Sequence, residues 1–189
     1  RDVYRRNFNT IRDYTITGDC YQVNLTKQFS AQVTGDGWLT YRYLRAQSPA
    51  PYGCYMNLPF AQILSNSPES FIQCRNRLVV TSPIKGTRPR VHHDKELDKA
   101  EAQALKNSAK DRAENLMIVD LMRNDLGQIC KSGSVTVPRL LSTEAHPGLV
   151  HLVSDIEGEL NDEVTWAEIF TRLSPPGSIS GAPKSSAVS

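Results

Sequence analysis

The chain is short of several features that would assign it quickly. It has no run of about 18 apolar residues that could span a membrane, and no charged-then-apolar start of the secretory kind, so nothing points to insertion or export. Its four cysteines, Cys20, Cys54, Cys74 and Cys130, lie far apart, with no CxxC pair and no histidine at metal-ligand spacing. That excludes the common zinc and dithiol patterns and suits free thiols in a reducing compartment, hence a cytoplasmic setting. Neither sign of charge is in excess: 22 Lys and Arg against 20 Asp and Glu leave a formal +2. Nothing announces nucleic acid or an anionic membrane, and any anion site must be local. Repeats and low-complexity tracts are also missing. What remains is 189 residues, 39% hydrophobic and 22% charged, enough to bury a continuous core as one domain or part of one. The chain opens on Arg1 and stops soon after "GAPK", as a piece of a longer protein would.

Periodicity predicts mixed elements. Tyr4, Phe8, Ile11 and Tyr14 recur at helical spacing up to Gly18. Tyr21, Val23, Leu25, Phe29, Ala31 and Val33 alternate with mostly polar neighbours, which predicts a long half-buried strand. A short helix is expected around Trp38, Tyr41 and Leu44. Apolar bursts near residues 52–58, 61–64, 70–74 and 78–81 then read as an antiparallel meander. Residues 95–126 are rich in Ala, Leu, Lys, Glu and Asp and predict a helix followed by a longer one. Strand-like "SVTVPRLLS" and "LVHLVSDIEG" follow, then a helix over "VTWAEIFTRL". Strands in runs and helices in runs imply an α+β fold, antiparallel sheets packed with helices.

Four places can carry chemistry. Lys85 stands in "TSPIKGTRPR", which reads as a stiff, proline-bracketed turn. A free lysine, with a pKa of about 10.4, is neutral about once in 2,500 molecules at pH 7, so a nucleophilic role asks the site for up to roughly 4.6 kcal/mol against the ammonium. The neighbouring Arg88 and Arg90 would push that way; a solvated surface charge is the other reading. Glu69 in "SPES" is placed at a strand end, as a proton donor to a leaving group or as a solvated turn residue. In "NSAKDRAENLMIVDLMRND", Asp111 and Glu114 share a helix face, with Leu116, Met117, Val119 and Leu121 as core contacts. Hard carboxylates so placed suit Mg²⁺, and equally suit ion pairs such as Lys110 with Glu114. The loop "PGSISGAPKSS" does not match a Walker loop; it reads as a carboxylate-binding loop or a tight turn.

Taken in order, "GDCYQVNL", "SPES", "PIKGTRPR", "DRAENLMIVDLMRND", "HLVS" and "GSISGAPK" resemble the chorismate-utilising enzymes over essentially the whole chain. More narrowly they resemble component I of the aminodeoxychorismate synthases, the branch leading to p-aminobenzoate and folate. Lys85 is the discriminating letter, since the otherwise similar anthranilate synthases carry Ala there. Gln22 stands where the hydrolytic isochorismate and salicylate synthases carry a water-activating lysine, and so speaks against them. The resemblance implies one partial chorismate-binding domain over residues 1–189, of the anthranilate synthase component I type.

It further implies that chorismate and ammonia give 4-amino-4-deoxychorismate in a transferase-type amination. Lys85 would attack C2, Glu69 would protonate the departing C4 hydroxyl, and ammonia would add at C4 and expel the lysine. Mg²⁺ would be held by Glu114, with Asp111 behind it, against the ring carboxylate. Gly86, Thr87, His151, Ser180, Gly181 and Ala182 would line the substrate. The implied partner is a glutamine amidotransferase subunit or fused domain, of which no motif is visible here. Two departures stand out. "PPGSISGAPK" has Pro176 and Ser180 where the family more often has Gly and Thr. Family members also extend beyond both ends, the later part supplying a second metal-binding Glu and contacts to the enolpyruvyl carboxylate, so the isolated chain is expected to be inactive. An anthranilate synthase-like lyase and a non-catalytic chorismate-binding remnant are the other functions considered.

Overall fold

The computed structural model describes residues 2–188, which divide into two compact units, Gln28–Ser70 and the rest of the chain. In the smaller unit, helix α2 (Gly37–Gln47) starts where the Asp36 carboxylate accepts the Leu39 N–H at 3.0 Å, a side-chain cap that satisfies an otherwise orphaned donor. Strands β2 (Tyr52–Leu58) and β3 (Ala61–Ser67) form a hairpin. Trp38 and Tyr41 of α2 meet Tyr55 of β2 at centroid distances of 5.4 and 5.9 Å, an aromatic cluster in place of an aliphatic core.

The larger unit contains helix α1 (Asp2–Thr17), which stops before Gly18 as its pattern predicts, and strand β1 (Gln22–Val23). The long strand expected over 21–33 is not formed. Alternation marks faces, but a strand also needs a partner edge. β1 pairs only with the two-residue strand β9 (Gly181–Ala182), and Phe29 and Val33 are exposed. The expected meander also divides: β2 and β3 pair with each other, whereas β4 (Ser70–Arg75) and β5 (Leu78–Ser82) join a separate sheet. That sheet runs β4-β5-β8-β6, with β6 (Ile84–Pro89) and β8 (Leu149–Glu159), and β7 (Thr136–His146) pairs with the other edge of β8.

Central β8 explains where the core lies. Val150, Leu152, Ser154 and Ile156 alternate onto one face, which is covered by α3 (Lys95–Asn107) and α4 (Ala109–Gly127). Leu105 of α3 packs with Leu141, Val150 and Leu152, while Ile118, Val119, Met122 and Leu126 of α4 pack with Val79, Ile156 and Leu160. Helix α5 (Trp166–Leu173) is closed by a reciprocal capping box between Thr165 and Glu168, and it adds Ile169 and Leu173 to this cluster. Of the expected contacts of α4, Val119 is buried and Met117 and Leu121 pack against the core, whereas Leu116 is exposed; Asn115 and Asp125 join the buried stripe among the apolar residues. Two short helices, α6 (Gly177–Ser180) and α7 (Lys184–Val188), flank β9.

Candidate functional site

Lys85 does not sit on a turn. "IKGTRP" forms edge strand β6, antiparallel to β8, because Ile84 pairs with Val153 and Thr87 with His151. Those pairs are three residues apart on β6 and two on β8, so the strand carries a bulge at Lys85–Gly86. A bulge redirects a side chain out of the regular alternation. Lys85 Nζ accordingly reaches the Ser178 carbonyl in α6 at 3.0 Å.

The bulge depends on Gly86, whose φ of +97° is a left-handed value that disfavours a side chain. There is also little room: a Cβ built on Gly86 would stand 3.0 Å from both Asp111 Cβ and Leu105 Cδ1. Glycine here lets β6 press against α3 and α4. The arginines do not act on Lys85 as expected. Arg88 pairs with Glu101 at 2.8 Å, and Arg90 makes a forked pair with Asp98 at 2.7–2.9 Å, both on α3. The hydrogen bond from Arg90, with that from the Val91 N–H, holds the Asp98 carboxyl down to about 2. Their positive charge is therefore spent on α3, because once past the bulge the strand turns them toward that helix.

The Ser178 carbonyl is a meeting point. Besides Lys85 it accepts from Asn24 Nδ2 at 2.9 Å, while the Asn24 backbone N–H donates to the Ser180 carbonyl at 2.9 Å. Gln22 Nε2 lies 3.4 Å from Asn24 Oδ1, and its own Oε1 is buried without a hydrogen-bond partner among the described residues. Three motifs distant in sequence thus converge: "QVNL", "PIKGT" and "GSISG". Gly181 and Ala182 are buried, with β1 paired along them; a Cβ on Gly181 would lie 2.1 Å from the Gln22 carbonyl oxygen. The Ser180 hydroxyl donates back to the Pro176 carbonyl at 3.1 Å. The cradle is fixed from behind by Lys184, which donates to the buried Asp125 carboxylate at 2.6 Å and to the Leu173 carbonyl at 3.2 Å.

His151 is buried, and its Nδ1 lies 2.9 Å from the Thr87 hydroxyl across the β6–β8 ladder. On its other side it is paired in register with Glu144. Burial pushes the His151 imidazole below its ordinary value and the nearby His146 adds to this, with Glu144 opposing. Asn115 and Ser154 form a buried network beneath: Ser154 Oγ donates to Asn115 Oδ1 at 2.6 Å and accepts the Leu141 N–H at 3.0 Å. The serine of "HLVS" is therefore a core residue.

Glu114 is half-buried, with Lys110 3.8 Å away. Asp111 lies one turn earlier and packs its Cβ against Gly86. No group of three or more His, Cys, Asp or Glu side chains able to hold a metal occurs among the described residues. Two hard carboxylates on one helix face nevertheless match the small share of its coordination that Mg²⁺ asks of a protein. Glu69 lies in the smaller unit, in the turn between β3 and β4, where the Ser67 hydroxyl bridges its backbone N–H and C=O at 3.2 and 3.0 Å. The sequence reading missed Asn24, Ser178, Glu144 and His146. Asn24 and Ser178 lay inside quoted motifs but act through contacts invisible in one dimension, whereas the spacing of Glu144 and His146, two apart on a strand, was available as a same-face signal.

The family model for chorismate binding enzymes matches residues 1–189. Aminodeoxychorismate synthase component 1 of Escherichia coli (strain K12) is 46% identical over 184 residues, 97% of this chain and 40% of the relative. Anthranilate synthase component 1 of Geobacillus stearothermophilus is 38% identical, over 97% of this chain and 36% of its own length. Among solved structures, anthranilate synthase component I from Streptococcus pneumoniae TIGR4 superposes with a TM-score of 0.85 at 36% identity, covering 97% of this chain and 40% of that one. The chain thus spans about 40% of the length of the curated relatives it matches.

Proposed function

Because the chain belongs to the family of chorismate binding enzymes, we propose that it is part of an aminodeoxychorismate synthase component I, which aminates chorismate with ammonia to 4-amino-4-deoxychorismate. The observation that carries this reading is the convergence on the Ser178 carbonyl. It ties the amine of Lys85 to "QVNL" and "GSISG" and holds that amine at a bulge rather than leaving it to solvent. Relatives named aminodeoxychorismate synthase component 1 at 46–47% identity support the same branch.

In this reading the Lys85 amine bonds to C2 of the ring as both ring double bonds shift one position and the C4 hydroxyl leaves with a proton, as water. The reading gives Glu69 the role of that proton donor. Ammonia then bonds to C4, both double bonds return, and the C2–N bond breaks to restore the lysine. Chorismate and ammonia become the amino compound and water, and one displacement is divided into two easier ones. Thr87, bonded to His151 and two residues along the strand from Lys85, would orient the ring together with that imidazole, and Gly86 would offer its backbone N–H to the substrate. Glu114 would hold Mg²⁺, with Asp111 behind it, and the chemistry the ion would supply is to neutralise the substrate carboxylate. A glutamine amidotransferase is the proposed source of ammonia.

The test is a chimera in which residues 1–189 replace the matching segment of the Escherichia coli relative. Ammonia-dependent formation of the amino compound is expected, falling on the order of 1,000-fold in Lys85→Ala. Turnover that survives the substitution rules out the lysine adduct. A second reading, an anthranilate-forming lyase, is favoured by the 0.85 TM-score and the 38% relative; fluorescence of anthranilate in the same assay would select it.

A further inference from the structure

Beside the Lys85 strand lies a titratable row whose far end, Glu144 and His146, the reaction scheme leaves unused. Thr87 on β6, His151 on β8 and Glu144 on β7 stand opposite one another in register, so their side chains share a sheet face. His146 is two residues beyond Glu144 on the same face, its Nε2 3.1 Å from Glu144 Oε1 and its ring 5.3 Å from that of His151. We infer that His146, anchored by Glu144, is a positioning residue for His151: the pair sets the orientation and charge of the imidazole facing Thr87, and through it the pH range in which this strand engages an anionic substrate. The functional consequence rests on the reading above; the electrostatic claim does not.

The charges around His151 can be enumerated. From β7 come Glu144 and His146; from β6 come the uncharged Thr87 and, two residues earlier, Lys85. On the reverse face α3 and α4 present Leu105 and the neutral Asn115 amide. At the hairpin tip His92 accepts the Gly148 N–H. The single carboxylate in this set is already engaged, since Glu144 Oε2 accepts from Arg139 at 3.1 Å and Oε1 faces His146. Arg139 is itself gripped by Asp155 at 2.6 and 3.0 Å.

Two imidazoles 5.3 Å apart beside one spoken-for carboxylate do not readily carry two protons. Burial keeps His151 neutral in the first place, and the neighbouring His146 ring, 5.3 Å away, adds to this. A neutral ring protonated at Nε2 can accept a hydrogen bond from the Thr87 hydroxyl at Nδ1, which a charged ring, protonated at both nitrogens, cannot do. Glu144 contributes by holding His146 against it.

The test is an NMR titration of the histidine ring signals in the 189-residue chain, with His151 assigned through His151→Gln. Removing the neighbouring imidazole in His146→Gln should raise the His151 midpoint by about half a unit or more. Glu144→Gln should lower it, and both should shift the Nδ1/Nε2 proton ratio. If a variant proves unstable, His146→Phe retains a ring in the slot without its titratable nitrogens and should raise the midpoint equally. A His151 midpoint and tautomer ratio unchanged in folded variants overturn the proposal, and so does loss of the fold in all of them, which would make the pair a packing device. No step requires turnover, so failure of the chimera assay would remove the functional reading and leave this result standing.

Discussion

Lys184→Met is the most informative single perturbation of the cradle. Asp125 has a side chain 5% exposed and Lys184 one 18% exposed, and the ammonium joins that carboxylate to the Leu173 carbonyl. Methionine keeps most of the stem's volume and removes only the charge and its donors. Breaking a buried pair from one side leaves an uncompensated charge, at a cost of about 3 kcal/mol. With a urea slope of about 2.5 kcal/mol per molar, the unfolding midpoint should fall by about 1 M at pH 7. The pH dependence follows from Asp125, which burial pushes above the ordinary carboxylate value with Lys184 only partly reversing it. A carboxyl raised in the folded state favours folding when protonated, and that contribution is lost as pH rises from the unfolded value through the folded one. Without Lys184 the folded value climbs further, so the deficit should be smaller at pH 5 than at pH 7. Urea melts followed by circular dichroism at both pH values decide the matter. A midpoint within about 0.3 M of wild type at pH 7, with no change at pH 5, would show that the pair contributes nothing net.

Three further outcomes are expected. Gly86→Ala places a methyl 3.0 Å from Asp111 and Leu105 at φ +97° and should destabilise by about 2–3 kcal/mol in the same melts, whereas an uncrowded bulge would tolerate it. Ser154→Ala strips the Leu141 N–H and Asn115 Oδ1 of their shared buried partner and should cost about 2–3 kcal/mol; a loss below about 0.5 kcal/mol would mean the network is solvated. The Cys130 thiol is pushed up to about 11 by burial and the nearby Cys74, so at pH 8 a thiol reagent should label the half-buried Cys54 and Cys74 well before Cys130, as mass spectrometry of digests would show.

The sequence alone determined whatever depends on local pattern. Helix α1 up to Gly18, the α3–α4 pair and the α5 box could be read from spacing and caps, since those interactions span only a few residues. It also isolated Lys85 as a residue to explain. Tertiary structure decided everything that depends on a partner edge or a register. The 21–33 alternation found only β9 to pair with, and "PIKGT" became a bulged strand because Ile84 and Thr87 met Val153 and His151. Arg88 and Arg90 were consumed by α3, and the Ser178 carbonyl gathered Asn24 and Lys85 from segments more than 90 residues away. Chain order encodes which groups can bond. Which of them do is set by packing, because a hydrogen bond a few ångströms long can join residues at any distance along the chain.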